Sequence, residues 1–353
     1  MFKYLKFSLA PLTLTVSIYF ASLAGNYIWY FFLAFTTLII LGDILLGSDT
    51  KVEEYKYPFI LNLMLYLNLP LLILLIAVSI YTIDNQSITI FSFIGYCVTV
   101  GFMLGSFGVN VGHELTHRKN KKLDMFIGNW VQALCLDNVF AIEHVYGHHK
   151  DVALLKDGAS ARRGEGIYSF MFRSTFSEYK NAFQIEKNRL KIKRKSIFSF
   201  ENKFFAALFR SIIICIFIYS LASTQALIFY LISALISKIL LETINYIEHY
   251  GLVRLEGKPV RPRHSWNSNT FVSSAFTFNL TRHSAHHEKA HLPYWKLSPY
   301  SDAPKMPYGY MSTLSFALLL PWLYRKIMAK KLLDWDENYA SGPEKELISK
   351  LSL

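Results

Sequence analysis

Eleven histidines occur in this 353-residue chain, and nine of them fall into four tight groups: His113/His117, His144/His148/His149, His249 and His283/His286/His287. Each group lies at or just beyond the end of an apolar stretch. In HELTH (113 to 117) the two imidazoles are four residues apart and share one face of a helix, and the i, i+3, i+4 set at 283 to 287 does the same. Neutral imidazole is the commonest metal ligand in proteins and suits iron, zinc, copper or nickel. Nine donors are about twice what one ion can use, so the pattern reads as two metal ions. A lone histidine at a helix end is more often a capping group. Repeated adjacent imidazoles are different, because they repel one another if charged and need partners if buried and neutral. His264 in RPRHSW and His291 in KAHLP sit in Pro- and Arg-rich loop sequence and read as ordinary loop residues.

The elements that must position these side chains are membrane helices. With 52% hydrophobic and 16% aromatic residues, the chain is too apolar for an ordinary soluble domain. Apolar runs near 7 to 24, 27 to 47, 58 to 82, 88 to 110, 204 to 222 and 225 to 247 each approach or exceed the roughly 20 residues of a spanning helix. The expected fold is all-α: a polytopic membrane protein with six transmembrane helices and a histidine-rich di-metal site on the cytoplasmic side. The links after the first, third and fifth spans carry no Lys or Arg, whereas the other links and both termini hold nearly all the basic charge. The positive-inside rule then places both termini in the cytoplasm, and all four histidine groups fall on that side. The whole chain, 1–353, reads as a single membrane-embedded domain with a cytoplasmic excursion at about 111–203 and a cytoplasmic C-terminal part at about 250–353. Lys3, Lys6 and the small residues near Ala24 also resemble a signal peptide, but a second span begins at once.

Several local features sharpen the expectation. Asp43, near the end of the second span, should face the bundle or a wet cavity, supporting the metals or snorkelling. The fourth span is rich in small residues (Gly101, Gly105, Ser106, Gly108, Gly112), which favours close helix packing, and it carries HELTH out of the bilayer. Residues 123 to 143 read as a re-entrant or interfacial helix leading to His144. Glu242, Asn245 and His249 recur at i, i+3, i+7 and put a polar stripe on the sixth span, as metal ligands or their support. Leu314 to Met328 reads as an amphipathic interfacial piece. Cys97, Cys135 and Cys215 lie in apolar helical sequence without a CxxC pair and read as packing residues. The net charge of +12 might suggest nucleic acid, but no such motif occurs. The basic stretch KNRLKIKRK (187 to 195) suits anionic lipid headgroups or an acidic soluble partner.

HELTH also fits the HExxH pattern of zinc peptidases, in which the Glu is the general base. That reading requires three protein ligands and leaves the other histidine groups without a role. A metal transporter would spread its ligands along the membrane path, and these cluster at one end. Imidazole ligation with open positions on two redox-active ions suits O₂ activation, and the apolar helices would deliver an oily substrate from the lipid.

The segments HELTH, EHVYGHH, NYIEHYGL and LTRHSAHHEKAHLPYWKL resemble the signature motifs of the integral-membrane di-iron alkane hydroxylases (alkane 1-monooxygenases), relatives of xylene monooxygenase and membrane fatty acid desaturases. The resemblance runs over about residues 20 to 335. It implies iron ligation by His113, His117, His144, His148, His149, His249, His283, His286 and His287. Glu114, Glu143 and Glu248 would orient imidazoles or relay protons, although each also reads as a helix-end cap. The reaction implied is O₂-dependent hydroxylation of a terminal C–H bond of an alkane or alkyl chain at a di-iron centre in a bacterial inner membrane. Electrons would come from an external donor such as rubredoxin or a ferredoxin-type reductase. Desaturation of a fatty acyl chain and hydroxylation of a methyl-aromatic or lipid substrate are the alternatives with the same centre. The chain departs from the family pattern at Arg118, where Lys is usual, at Thr281, where Gln is usual, and at Tyr294-Trp295-Lys296-Leu297 in place of YQxL. These departures bear on substrate and electron partner, not on the ligands.

Overall fold

In a computed structural model describing residues 2–351, the six apolar stretches form six helices long and apolar enough to cross a membrane. They are α1 (Lys3–Ser22), α2 (Tyr27–Leu45), α3 (Pro58–Asn85), α4 (Ile90–Thr116), α8 (Lys203–Leu221) and α9 (Thr224–His249). Between α4 and α8 lie α5 (Lys122–Leu134), α6 (Phe140–Glu143) and α7 (Ile167–Ile192). After α9 come α10 (Phe271–Phe276), α11 (His283–Glu288), α12 (Tyr310–Leu319), α13 (Pro321–Asn338) and α14 (Gly342–Leu351). Among the described residues the only β pairing is two isolated bridges. Local chemistry sets several starts: Thr89, Asn202 and Ser223 each accept a backbone N–H of the first turn of α4, α8 and α9.

Helix α4 is the centre of the bundle, with 72% of its most apolar window buried against 22% for α8. It packs on α9, and its small residues are what allow the approach. A Cβ at Gly101 would stand 2.6 Å from the Ser233 carbonyl, and one at Gly105 2.6 Å from a Leu240 methyl. Leu38, Leu45 and Phe217 point outward with 67%, 76% and 63% of their surface exposed, as a lipid-facing wall requires.

The expected re-entrant helix at 123 to 143 is two pieces. It stops at Leu134, turns through Leu136 with φ 53°, and resumes as α6. The break follows from electrostatics. Asp137 turns inward to Lys238 of α9 at 3.1 Å, beside Glu178 of α7 and Glu242 at 3.0 Å. One buried ammonium thus gathers three carboxylates from three segments, and it ties the approach to His144 onto the sixth span. The stretch from Leu314 to Met328 is likewise interrupted, because Pro321 starts a new helix and cannot supply the N–H that would continue α12. Trp335 of α13 is fully buried and donates to the Arg263 carbonyl at 2.7 Å.

Asp43 neither touches the imidazoles nor reaches for water. It is 5% exposed, and it accepts from the Ser273 N–H at 2.8 Å and the Ser273 hydroxyl at 2.5 Å, which fixes the first turn of α10. Cys97 and Cys135 are buried and Cys215 is half-buried, all unpaired. His264 is buried too, with Nε2 2.9 Å from Glu344 of α14.

Candidate metal centre

Four separate stretches of backbone deliver the nine histidines to one end of the bundle, where they sort into two sets. His113, His117, His144, His149 and His286 form one; His148, His249, His283 and His287 form the other. Within each set the ligating nitrogens lie within 4.8 Å of one another. Two wide π turns help to make this possible. One, Leu104–Val109, precedes HELTH in α4, and the other, His144–His148, follows α6. An extra residue in the turn changes which side chains share a face, so His144 and His149 serve one set while His148 serves the other. Gly147 lies inside the second turn, where a Cβ would come 2.7 Å from Glu143 Oε1. At the end of α9, Gly251 takes φ +72° and turns the chain back, which leaves His249 facing inward.

In the first set the Nε2 atoms of His113, His144, His149 and His286 form a closed square with edges of 2.8, 3.0, 3.0 and 2.8 Å. The His117 ring stands 4.4 to 5.3 Å from the four ring centres, and its buried Nε2 has no hydrogen-bond partner. In the second set His283 Nε2 lies 3.1 Å from His249 Nε2 and 2.9 Å from His287 Nε2, and the buried His148 Nε2 is again without a partner. Neutral imidazoles facing each other through Nε2 cannot all be satisfied by one another. Donors about 2.1 Å from a common ion and at right angles would stand about 3.0 Å apart, which matches these edges. The nitrogens therefore fit two metal ions.

Electrostatics favours the protonation state that ligation needs. Burial, reinforced by neighbouring imidazoles, holds His117, His144, His149, His283 and His287 well below the usual imidazole range, and His286 at about 3. His148 is the exception. Burial is the largest single influence and acts downward on it too, but Asp157, aided by Glu143 and Glu242, holds it above its ordinary value. Asp157 Oδ2 lies 2.9 Å from His148 Nδ1 and accepts the Ser160 hydroxyl at 2.6 Å. In the neutral ring this contact places the proton on Nδ1, so that Nε2 is the nitrogen available to a metal once it gives up its own proton.

Of the three glutamates singled out in the sequence, Glu248 alone meets an imidazole. Its Oε2 is 3.1 Å from His283 Nε2, and its Oε1 accepts the Tyr310 hydroxyl at 2.8 Å. Glu114 is engaged elsewhere, with Arg118 at 2.6 Å and the Tyr294 N–H at 3.3 Å. Arg118 continues to Asn62 and Asp124, so this group locks α4 to α5 and to the loop after α11. Glu143 lies against Gly147, and burial pushes it up to about 7. On the polar stripe of α9, Glu242 serves Lys238 and Asn245 bonds Glu242, so only His249 joins the imidazoles. Asp157 and Tyr310 were missed: Asp157 sits in a DGAS loop signal that gives no hint of its partner, and Tyr310 is 62 residues from Glu248. Replacing Asp157 with Asn is expected to lower metal affinity of the four-histidine set by roughly 10- to 100-fold, as read by metal content under chelator competition.

One large cavity opens on the centre, and a smaller one lies deeper in the bundle. The open one of about 650 Å³ exposes His117, His149 and His287 between Arg118, Lys119 and Lys121. The narrow one of about 40 Å³ reaches into the bundle between Phe35, Phe107, Ile244, Phe276 and Leu314.

Known proteins share this plan. The fatty acid desaturase family model matches residues 89–317, a segment that contains all nine histidines. Alkane 1-monooxygenase 1 of Alcanivorax borkumensis is 32% identical over 92% of this chain and 83% of its own length. Alkane 1-monooxygenase of Acinetobacter baylyi is 39% identical over 67% of this chain and 60% of its own. The xylene/toluene monooxygenase hydroxylase component XylM of Pseudomonas putida is 28% identical over 97% and 93%. With the six spans and the paired histidine sets in place, the chain belongs to the alkane 1-monooxygenase family of membrane oxidoreductases, within the broader fatty acid desaturase group.

Proposed function

We propose that the nine histidines hold two iron ions and that the protein uses O₂ and two electrons to hydroxylate the terminal C–H bond of an alkane or alkyl chain. The observation that carries this reading is the pair of imidazole sets at one end of a bundle whose apolar cleft comes within a helical turn of His113 at Asn110. When bound, two irons supply the electrons that cleave O₂ and the oxidising power to attack an unactivated C–H bond. The balance is RH + O₂ + 2e⁻ + 2H⁺ → ROH + H₂O.

The chain's own residues do the rest. The aromatic and aliphatic walls of the cleft exclude water and, at its present size of about 40 Å³, would take the end of an alkyl chain rather than its whole length. Tyr310 anchors Glu248, whose other oxygen faces the ligating nitrogen of His283 and would stand beside an ion held there. The open cavity rimmed by Arg118, Lys119 and Lys121 is where an external donor with an acidic surface, such as rubredoxin or a ferredoxin-type reductase, reaches the imidazoles. The distribution of Lys and Arg supports a bacterial inner-membrane protein with this face in the cytoplasm. The chain acts as one membrane-embedded domain.

The similarity to XylM over nearly the whole chain favours a methyl-aromatic substrate as a second reading. Metal analysis of the purified protein, followed by turnover with alkanes, methylbenzenes and fatty acids and a reconstituted donor, tests both. About two irons per chain and a terminal alcohol from an alkane are expected. One zinc per chain, or alkene as the product, overturns the proposal.

A further inference from the structure

The narrow cleft contains a polar group that its proposed substrate cannot satisfy. Asn110 lines the cleft from α4, one helical turn before His113, and its side chain is 7% exposed. Its Nδ2 has no hydrogen-bond partner. Three other polar residues of the cleft spend their hydroxyls inside the protein, Ser273 on Asp43 at 2.5 Å, Thr277 on the Ser273 carbonyl at 2.8 Å and Tyr310 on Glu248 at 2.8 Å, while the half-buried Ser106, four residues before Asn110, is the one other polar group lining the cleft. Apart from Ser106, the walls near Asn110 along the two central helices are apolar, with Phe107 on α4 and Leu240 and Ile244 on α9.

A buried amide donor left without an acceptor is a standing cost that apolar side chains of similar size would not impose. Leucine has the same branched outline of four heavy side-chain atoms, though larger, and carries no donor to leave unsatisfied in an apolar cleft. An alkane brings no acceptor into the cleft, so its binding leaves the donor unsatisfied. A chain that carries one oxygen removes the cost.

We propose that Asn110 is the polar anchor for an oxygen atom on a bound alkyl chain, so that the cleft binds a primary alkanol in preference to the alkane of the same length. The inference rests on the hydroxylase reading, because it makes Asn110 the group that meets the hydroxyl once that oxygen has been inserted. The Asn110 amide donates to the hydroxyl oxygen at a level one turn from His113. The alcohol is thereby kept with its oxygen toward the metal end and its tail in the apolar wall. It competes with the next alkane, and its release depends on breaking one buried hydrogen bond.

The test needs no turnover. The full chain, purified in detergent and given no electron donor, is offered a mixture of n-octane and 1-octanol. Retained ligand is measured by gas chromatography and mass spectrometry after rapid gel filtration, relative to empty micelles. The wild-type chain is expected to enrich octanol over octane about ten-fold beyond the micelle ratio, the worth of one net hydrogen bond. In Asn110→Leu that enrichment is expected to fall to the micelle ratio. Ile244→Trp, which fills the apolar part of the cleft, is expected to lower retention of both ligands. The proposal is overturned by a wild-type ratio equal to that of micelles, by a preference that survives in Asn110→Leu, or by octanol retention that Ile244→Trp leaves intact. The wild-type measurement decides even where the leucine variant does not fold. Separate turnover of octane keeps the two readings apart: octanol preference without hydroxylation defeats the enzyme assignment, and hydroxylation without preference defeats the anchor.

Discussion

Replacing His286 with alanine is expected to reduce the metal content from about two ions per chain to about one and to lower hydroxylation by at least ~100-fold. His286 Nε2 occupies one corner of the nitrogen square, 2.8 Å from His113 and 3.0 Å from His149, and its loss opens one side of the square. His148→Ala should empty the other position, since His148 is the ring whose tautomer Asp157 fixes. Metal analysis of each variant beside turnover decides the matter. Two ions retained in both variants, with full activity, would remove the metal assignment.

The second large effect is on stability. In Lys238→Leu the carboxylates of Asp137, Glu178 and Glu242 would remain buried together without their cation. Loss of one partner from a buried charge cluster typically costs about 3–5 kcal/mol, because the remaining charges cannot return to water. For a chain of this size the thermal midpoint should fall by roughly 10 °C. Metal should be lost as well, because Asp137 holds the turn that leads into α6 and His144. Lys238→Arg, which keeps the charge, should recover most of the midpoint. Equal midpoints for the leucine and wild-type chains would show that the cluster contributes nothing to stability.

Much of this was readable in the residues, for a physical reason. A bilayer demands long apolar helices and a metal demands particular donors, so the spans and all nine clustered histidines announce themselves by residue type. Expected and observed spans differ by only a few residues at most ends, with α4 running on to Thr116 to carry HELTH. What escaped is what depends on pairing between distant segments. Asp157 is one of 25 acidic residues until the fold brings it to His148, and the breaks at Leu136 and Pro321 follow from partners and backbone constraints that periodicity does not record. Asp43 looked like a candidate for the site because it is charged at membrane depth, yet its task is to hold the first turn of α10. Glu114 resembled an imidazole partner by its place in HELTH, whereas Arg118 four residues later takes its carboxylate.

The two histidine sets differ in how far they are sheltered. In the five-histidine set His117 and His149 are half-buried and open onto the large cavity, whereas the four rings of the other set are buried and His287 alone among them borders that cavity. Ion exchange should accordingly be biphasic. A hydrophilic chelator should extract the ion of the five-histidine set first and that of the four-histidine set more slowly, so a mild wash would yield a half-loaded protein before it yields an empty one.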